Sequence, residues 1–420
     1  MSHGRDLDFI IFGASGFTGK FTVLEAVTIL SDFRWGIAGR DLDKLKHVLS
    51  DVSVKVDKDL SKIPIIIADV EDMASLRRMT SDCKVLINCV GPFHLYGEPV
   101  VHACIDTSTH QIDICGDPGY ILNLMLKYND EAREKGSFIV PACGVDSIPG
   151  DIGVIYLESQ FDGTVAEVEE YLEASERPKK GASIHYGSYA SIVHACSSKK
   201  KTDQLRKKLF PETNSELKCR GLLHKSKVTG TWCTPFFGVD KDLVRMSQKY
   251  FNVKSNKFPI QNQAYAATAS IFESIGLISF QAITRCSLGR KLLLSHPEFF
   301  SWGHVSHKNL KDDVIEAGNF TVHLYGKGWT QKTFNEPSNS NSNLGKGKCD
   351  KEIYVKVKGK NNGYRSTAVA ALSSAKMLIT DVDNLPKETG VLTPAIVFSK
   401  TRLIEELLMN GWTFEVVKIL

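Results

Sequence analysis

Asp8-Phe-Ile-Ile-Phe12 runs straight into Gly13-Ala-Ser-Gly16-Phe-Thr-Gly19, and the rest of the chain is read outward from there. An apolar run of strand length feeds three glycines at a three-residue spacing. Beyond them, Phe21, Val23, Leu24, Val27 and Leu30 recur at helical spacing. Strand, glycine turn and helix form a phosphate-binding βα unit. The first glycine allows a tight turn. The second lacks a Cβ, so backbone N–H groups can approach a pyrophosphate. The third lets the helix pack close to the strand. The helix start then offers unpaired N–H groups and a partial positive charge. Ser15 and Thr18 add hydroxyl donors, and Ala14 and Phe17 complete the loop expected to hold the phosphates.

Up to about residue 150, short apolar runs (9–12, 35–38, 64–68, 85–90, 111–114 and 137–140) alternate with helical patterns (17–30, 41–51, 71–80, 97–106 and 118–135). This alternation predicts an α/β domain with a doubly wound parallel sheet. Ligands on such sheets bind at the carboxyl ends of the strands. After the second run comes Gly39-Arg40-Asp41, with Lys44 one turn on. An NAD site places an acid where Gly39 stands. A carboxylate repels a 2′-phosphate and a guanidinium holds it, so Arg40 and Lys44 favour NADP(H). Asp41 suits an N-cap for the helix that begins there. Asp69-Val70, after the third run, either meets the adenine or caps the helix 71–80. Cys89-Val90-Gly91-Pro92, after the fourth, is expected beside the inner ribose and nicotinamide.

Composition excludes several classes. The chain has 420 residues, 42% hydrophobic and 24% charged, with a formal net charge of +4. That describes a globular protein and gives no argument for nucleic acid. Ten cysteines are scattered without a CxxC or a Cys/His cluster. This argues for reduced thiols in a cytoplasmic setting and against a structural metal. The first strand follows Met1 too closely for a signal peptide, and no run of about 18 apolar residues predicts a membrane span.

Beyond residue 150 the pattern turns irregular. Between 177 and 227 lie 13 Lys/Arg against three acids, densest at Lys199–Lys201 and Arg206–Lys208. This is a solvated basic face or a patch for anionic headgroups or an anionic substrate. Residues 264–302 carry the most apolar surface, including Phe272, Ile275, Leu292–Leu294, Phe299 and Trp302. Core helix, homodimer interface and monotopic membrane anchor all fit, with core or interface the default. Runs at 320–325 and 352–357 alternate as antiparallel strands do, flanking an Asn/Ser/Gly-rich loop at 335–348. Helical patterns at 364–380 and 403–408 precede a last strand at 413–417.

These motifs resemble those of the saccharopine dehydrogenase-like oxidoreductases. The resemblance rests on Gly13–Gly19, Ala38-Gly-Arg40, Val85–Pro92, Tyr96-Gly-Glu-Pro-Val100, Gly144-Val-Asp-Ser-Ile-Pro149, Gly390–Pro394 and Phe398–Lys400. It implies a Rossmann domain at 1–150, a mixed α+β domain at 151–360, and a segment at 361–420 returning to the first domain. It also implies relatives on lipid droplets, and bacterial relatives that act as trans-acting enoyl reductases in glycolipid synthesis.

The chemistry implied is hydride transfer between NADP(H) and a C=N, C=O or C=C of a small-molecule or lipid-derived substrate. Candidate proton donors at the strand ends are Tyr96, Asp117, Asp146 and Ser147, with Cys115 and Cys143 nearby. Tyr96, Asp146 and Ser147 are the expected catalytic residues. Asp146 also suits a cap for the helix starting near Ile148-Pro149. No Tyr-x-x-x-Lys pair lies after the fourth strand. The alternative is a non-catalytic NADP-binding scaffold attached peripherally to lipid droplets or membranes.

Overall fold

The computed structural model describes residues 5–174, 182–211, 217–308, 310, 314, 318–335, 347–360 and 363–419. Parts of the basic stretch (177–181 and 212–216) and the loop 336–346 lie outside the described residues.

The strands are β1 (Leu7–Phe12), β2 (Trp35–Gly39), β3 (Ile65–Ile67), β4 (Cys83–Asn88), β5 (His110–Asp113), β6 (Phe138–Val140), β7 (Thr164–Ala174), β8 (Ile184–His185), β9 (His224–Lys225), β10 (Trp232–Pro235), β11 (Gln261–Thr268), β12 (Val305–Ser306), β13 (Asn319–Trp329), β14 (Lys351–Lys360), β15 (Gly390–Val391) and β16 (Trp412–Ile419). The first sheet has the order β15-β6-β5-β4-β1-β2-β3. All its pairings are parallel. Strand order reverses between β1 and β4, which opens the crevice where a doubly wound sheet takes its ligand. All of β1 is buried, as required of a strand covered on both faces.

The last part of the chain completes this domain. The helix Gly363–Thr380 lies along the helix Phe17–Ile29. Its Ala368, Ala371, Leu372 and Ala375 are fully buried, and small side chains let two helices approach closely. An Arg365–Glu25 ion pair ties the helices together. β15 then adds to the far edge beside β6, with Leu392 N donating to Ile139 O at 3.1 Å. The remainder of this segment goes elsewhere: β16 pairs with β14 in the second sheet.

That second sheet has the order β16-β14-β13-β7-β11-β10-β9, with mixed directions. Its inner face, built of Val168, Val322, Leu324, Val355 and Val357, packs on the helix Ile148–Ser159 that leaves the first domain. Contact is so close at Gly153 that a Cβ there would sit 2.6 Å from Leu324 Cδ1. The outer face alternates charge with aromatic rings. Arg220 pairs with Glu169, and His323 Nε2 lies 2.8 Å from Glu173.

Of the alternatives for the segment 264–302, the structure removes the core helix. The segment's start is strand β11, and the helices Ile271–Thr284, Ser287–Ser295 and Pro297–Phe300 come after it. In Ile271–Thr284 the buried side chains are Ser274 and Thr284, with Ser274 Oγ 2.7 Å from Thr268 Oγ1. The apolar side points outward: Phe272 is 74% exposed, Phe299 75% and Trp302 80%, with Leu288 and Leu292 alongside.

Candidate functional site

The crevice is lined by the turns at the carboxyl ends of the strands. After β1, Gly13 takes φ +83°, and a Cβ there would stand 2.7 Å from Val90 Cγ2. The Gly19 Cβ would fall 2.1 Å from Gly13 O and 2.9 Å from Ala14 Cα, so this helix touches the loop backbone. The helix Phe17–Ile29 starts at Gly16 without a side-chain cap. Among the described residues, the Ser15 and Thr18 hydroxyls take no protein partner. A cradle without side chains and a helix start without a cap fit a pyrophosphate.

After β2, Arg40 is exposed. Asp41 caps the helix Leu42–Val56, accepting from Lys44 N at 3.0 Å. The Lys44 ammonium lies 3.3 Å from Asp41, leaving Arg40 the better placed of the two cations for a 2′-phosphate. After β3, Asp69 accepts from Glu71 N, but the next helix begins at Met73 and Asp72 caps it. The capping alternative for Asp69 is thus taken by Asp72, which accepts from two N–H groups. Val70 is half-buried beside Asp69.

After β4, the Asn88 side chain accepts from Val90 N at 2.9 Å and bends the chain into Gly91-Pro92, a cis peptide. Cys89 Sγ lies 3.5 Å from Thr22 Oγ1, and burial pushes its thiol up to about 11. The helix expected from 97 begins at Phe93, so Tyr96 sits in its first turn, half-buried. After β5, Asp117 caps the helix Pro118–Glu134, accepting from Gly119 N at 2.8 Å. Cys115 and Cys143 are buried, and burial raises both thiols well above their ordinary range.

After β6, Asp146 stands at the mouth of the crevice, and a Cβ on Gly116 would lie 3.7 Å from its Oδ2. It is not the cap of the helix Ile148–Ser159, whose N-cap position is Ser147, itself 1% exposed and without a capping bond. Among the described residues, the Asp146 carboxylate takes no hydrogen bond. Its outer edge is open to solvent, but protein on its remaining sides withdraws water and raises its pKa.

Several groups here are not evident from sequence motifs. Asp113 ends β5 fully buried, accepting from Cys115 N and Ala142 N, and burial raises its pKa to about 7. An acid at the carboxyl end of a short strand, His110-Gln-Ile-Asp113, is its one visible signal. Glu170 of β7 and Asp240 crowd Gly150; burial raises both carboxyls, and the Glu170 charge raises Asp240 further. His94 lies 4.0 Å from Asp117, and its ring centroid is 4.9 Å from that of His194. Burial, and then the neighbouring His194, lower the His94 pKa.

Comparison with known proteins gives the family of the chain. Residues 9–140 match the family described as the saccharopine dehydrogenase NADP binding domain. The chain is 35% identical to a human saccharopine dehydrogenase-like oxidoreductase over 98% of both chains. It is 32% identical to a nematode lipid droplet localized protein from Caenorhabditis elegans, over 97% of both. The apo saccharopine dehydrogenase (L-Glu forming) of Saccharomyces cerevisiae superposes with a TM-score of 0.52 at 13% identity, covering 98% of this chain and all of that one, and so shares its fold. A glycine cradle for a pyrophosphate, Arg40 in place of an acid and full-length kinship lead to one conclusion: the chain belongs to the saccharopine dehydrogenase-like oxidoreductases, and its first domain binds NADP(H).

Proposed function

We propose that this protein is a reductase that delivers hydride from NADPH to a C=N, C=O or C=C of a lipid-derived substrate at a lipid surface. The observation that carries the proposal is a juxtaposition. The helix Tyr186–Ser197 borders the crevice on one side, with His194 against His94. On its other side Tyr189 and Val193 pack on Leu293 and Phe280. Those belong to the helices that expose Phe272, Leu288 and Leu292. One helix therefore separates the site from an outward apolar face flanked by Arg285, Arg290 and Lys291. Burying one large apolar side chain contributes about 1.5–3 kcal/mol, so this face gains from meeting acyl chains. Kinship with the lipid droplet localized protein supports the same reading.

In this reading Gly13–Gly19 hold the pyrophosphate and Arg40 the 2′-phosphate, with Lys44 adding charge. Asp69 and Val70 border the adenine, and Cys89–Pro92 border the nicotinamide side. The bound nucleotide supplies the hydride. Asp146 and Tyr96 are the groups of this chain that can hold a proton for the product at the open side of the crevice. Ser147 acts through the turn that aims Asp146, since its own side chain is buried.

The test is an NADPH-oxidation screen over lipid-derived enones, ketones and imines presented in anionic vesicles. Turnover that falls at least tenfold in Asp146→Asn supports the assignment. Silence across the panel, with NADPH still bound, would instead favour a non-catalytic NADP-binding scaffold on lipid. Flotation with the vesicles checks the surface: co-flotation is expected. Mass that doubles in solution, with no flotation, would assign the apolar face to a second copy of the chain.

A further inference from the structure

We infer that the second domain builds the outer wall of the dinucleotide site, with the helix Tyr186–Ser197 laid across the crevice and fastened by His185 and His194. The inference rests on the NADP(H) reading of the crevice. Phe17 is the first residue of the helix after β1 and comes directly after Gly16 of the phosphate cradle. The His185 ring stacks on the Phe17 ring, with centroids 4.5 Å apart and planes 5° apart. Tyr364 meets the same phenyl ring edge-on at 4.7 Å. The Tyr364 hydroxyl accepts from His185 N at 2.8 Å and donates to Ser188 Oγ at 3.0 Å. Two distant parts of the chain thus converge on one cradle residue.

The other end of the helix repeats the arrangement. His194 lies against His94, the second residue of the helix after β4. β1 and β4 are the neighbours between which strand order reverses. The two fastenings are therefore on opposite lips of the crevice. Nine residues separate them, about 13 Å at the rise of a helix. The chemistry of His185 suits a wall that also contacts the ligand. Its Nδ1 accepts from Gly187 N at 3.1 Å, so the neutral ring carries its proton on Nε2. Burial lowers its pKa and favours that neutral form. Among the described residues, Nε2 has no protein partner, which leaves one N–H for an oxygen of the nicotinamide-side phosphate or ribose.

Calorimetric titration of the full chain with NADPH and with adenosine 2′,5′-bisphosphate tests this. The second probe carries the adenine, its ribose with the 2′-phosphate that Arg40 holds, and one 5′-phosphate, but lacks the nicotinamide-side phosphate and ribose. His185→Ala should weaken NADPH at least tenfold and leave the bisphosphate within twofold. His185→Phe, which keeps the stacked ring but not the N–H, should recover part of the loss. His194→Ala should show the same selectivity with a smaller loss. NADPH affinity unchanged in all three variants would overturn the inference, and so would equal losses for both probes. Wild-type protein that binds neither probe would overturn the cofactor reading itself.

Discussion

The two seven-stranded sheets have opposite characters. The first is parallel, apolar on both faces, and active only along the edge where its strands end. The second is mixed, with an apolar inner face and an outer face of paired charges and rings. In the first sheet, side chains of the strands do almost nothing chemical, and the loops after them hold every candidate contact. In the second, the proposed wall and docking face sit in helices carried outside the sheet, at Tyr186–Ser197 and Ile271–Thr284. A ligand site on a parallel sheet is thus local in sequence, a few residues after each strand. A wall or docking face on a mixed sheet is not.

The largest effect that tests this contrast is at Gly19. Gly19→Val would drive a side chain into Gly13 O and Ala14. NADPH affinity should fall by more than a thousandfold, about 4 kcal/mol, by calorimetry. A mild loss would mean that the cradle is not what holds the nucleotide.

Next comes Asp113, the acid within the first sheet. Its folded pKa is about 7, well above the ordinary carboxylate value. Between about pH 4 and pH 7 the folded state keeps a proton that the unfolded chain has released. Stability should therefore fall as pH rises through that window, by on the order of 4 kcal/mol from this group. Denaturant melts of Asp113→Asn should show a flatter profile over the same range. A profile as steep as the wild type would leave the slope to the buried acids Glu170 and Asp240.

Arg40→Ala should lower the preference for NADPH over NADH by about 30-fold, roughly 2 kcal/mol, read as the ratio of the two dissociation constants. An unchanged ratio would transfer the 2′-phosphate to Lys44. The smallest effect on stability belongs to the second region's apolar face. The double variant Phe272→Ser, Trp302→Ser should change unfolding free energy by less than about 0.5 kcal/mol, because both rings already face solvent. The same variant should lose vesicle flotation. A large destabilisation would instead make the face part of a packed interface.

Legibility in the sequence divides along the same line. Gly13–Gly19, Arg40 and the six apolar runs can be read because each depends on neighbours within about ten residues. The Asp41 cap is readable for the same reason. Asp72 displaces Asp69 because the helix starts two residues later than its apolar pattern suggests. The Ile271–Thr284 helix misleads because a helical period shows that one face is apolar, not which face is covered. Only the fold places Ser274 against Thr268 and turns Phe272 outward. His185 is invisible for a stronger reason: its partners Phe17 and Tyr364 lie 168 and 179 residues away.

The return of the helix Gly363–Thr380 to the first domain has a consequence for the order of synthesis. The helix that opens with the phosphate cradle leaves the ribosome well before the helix that packs along it. Its packing partner emerges some 340 residues later, and β15, which closes the sheet edge, later still. At about 5–20 residues per second the nucleotide domain waits tens of seconds for its last strand. Until then the face of Phe17–Ile29 that packs on Gly363–Thr380 has no cover, so nascent chains of this protein should be clients of chaperones well after their cofactor motif has been made.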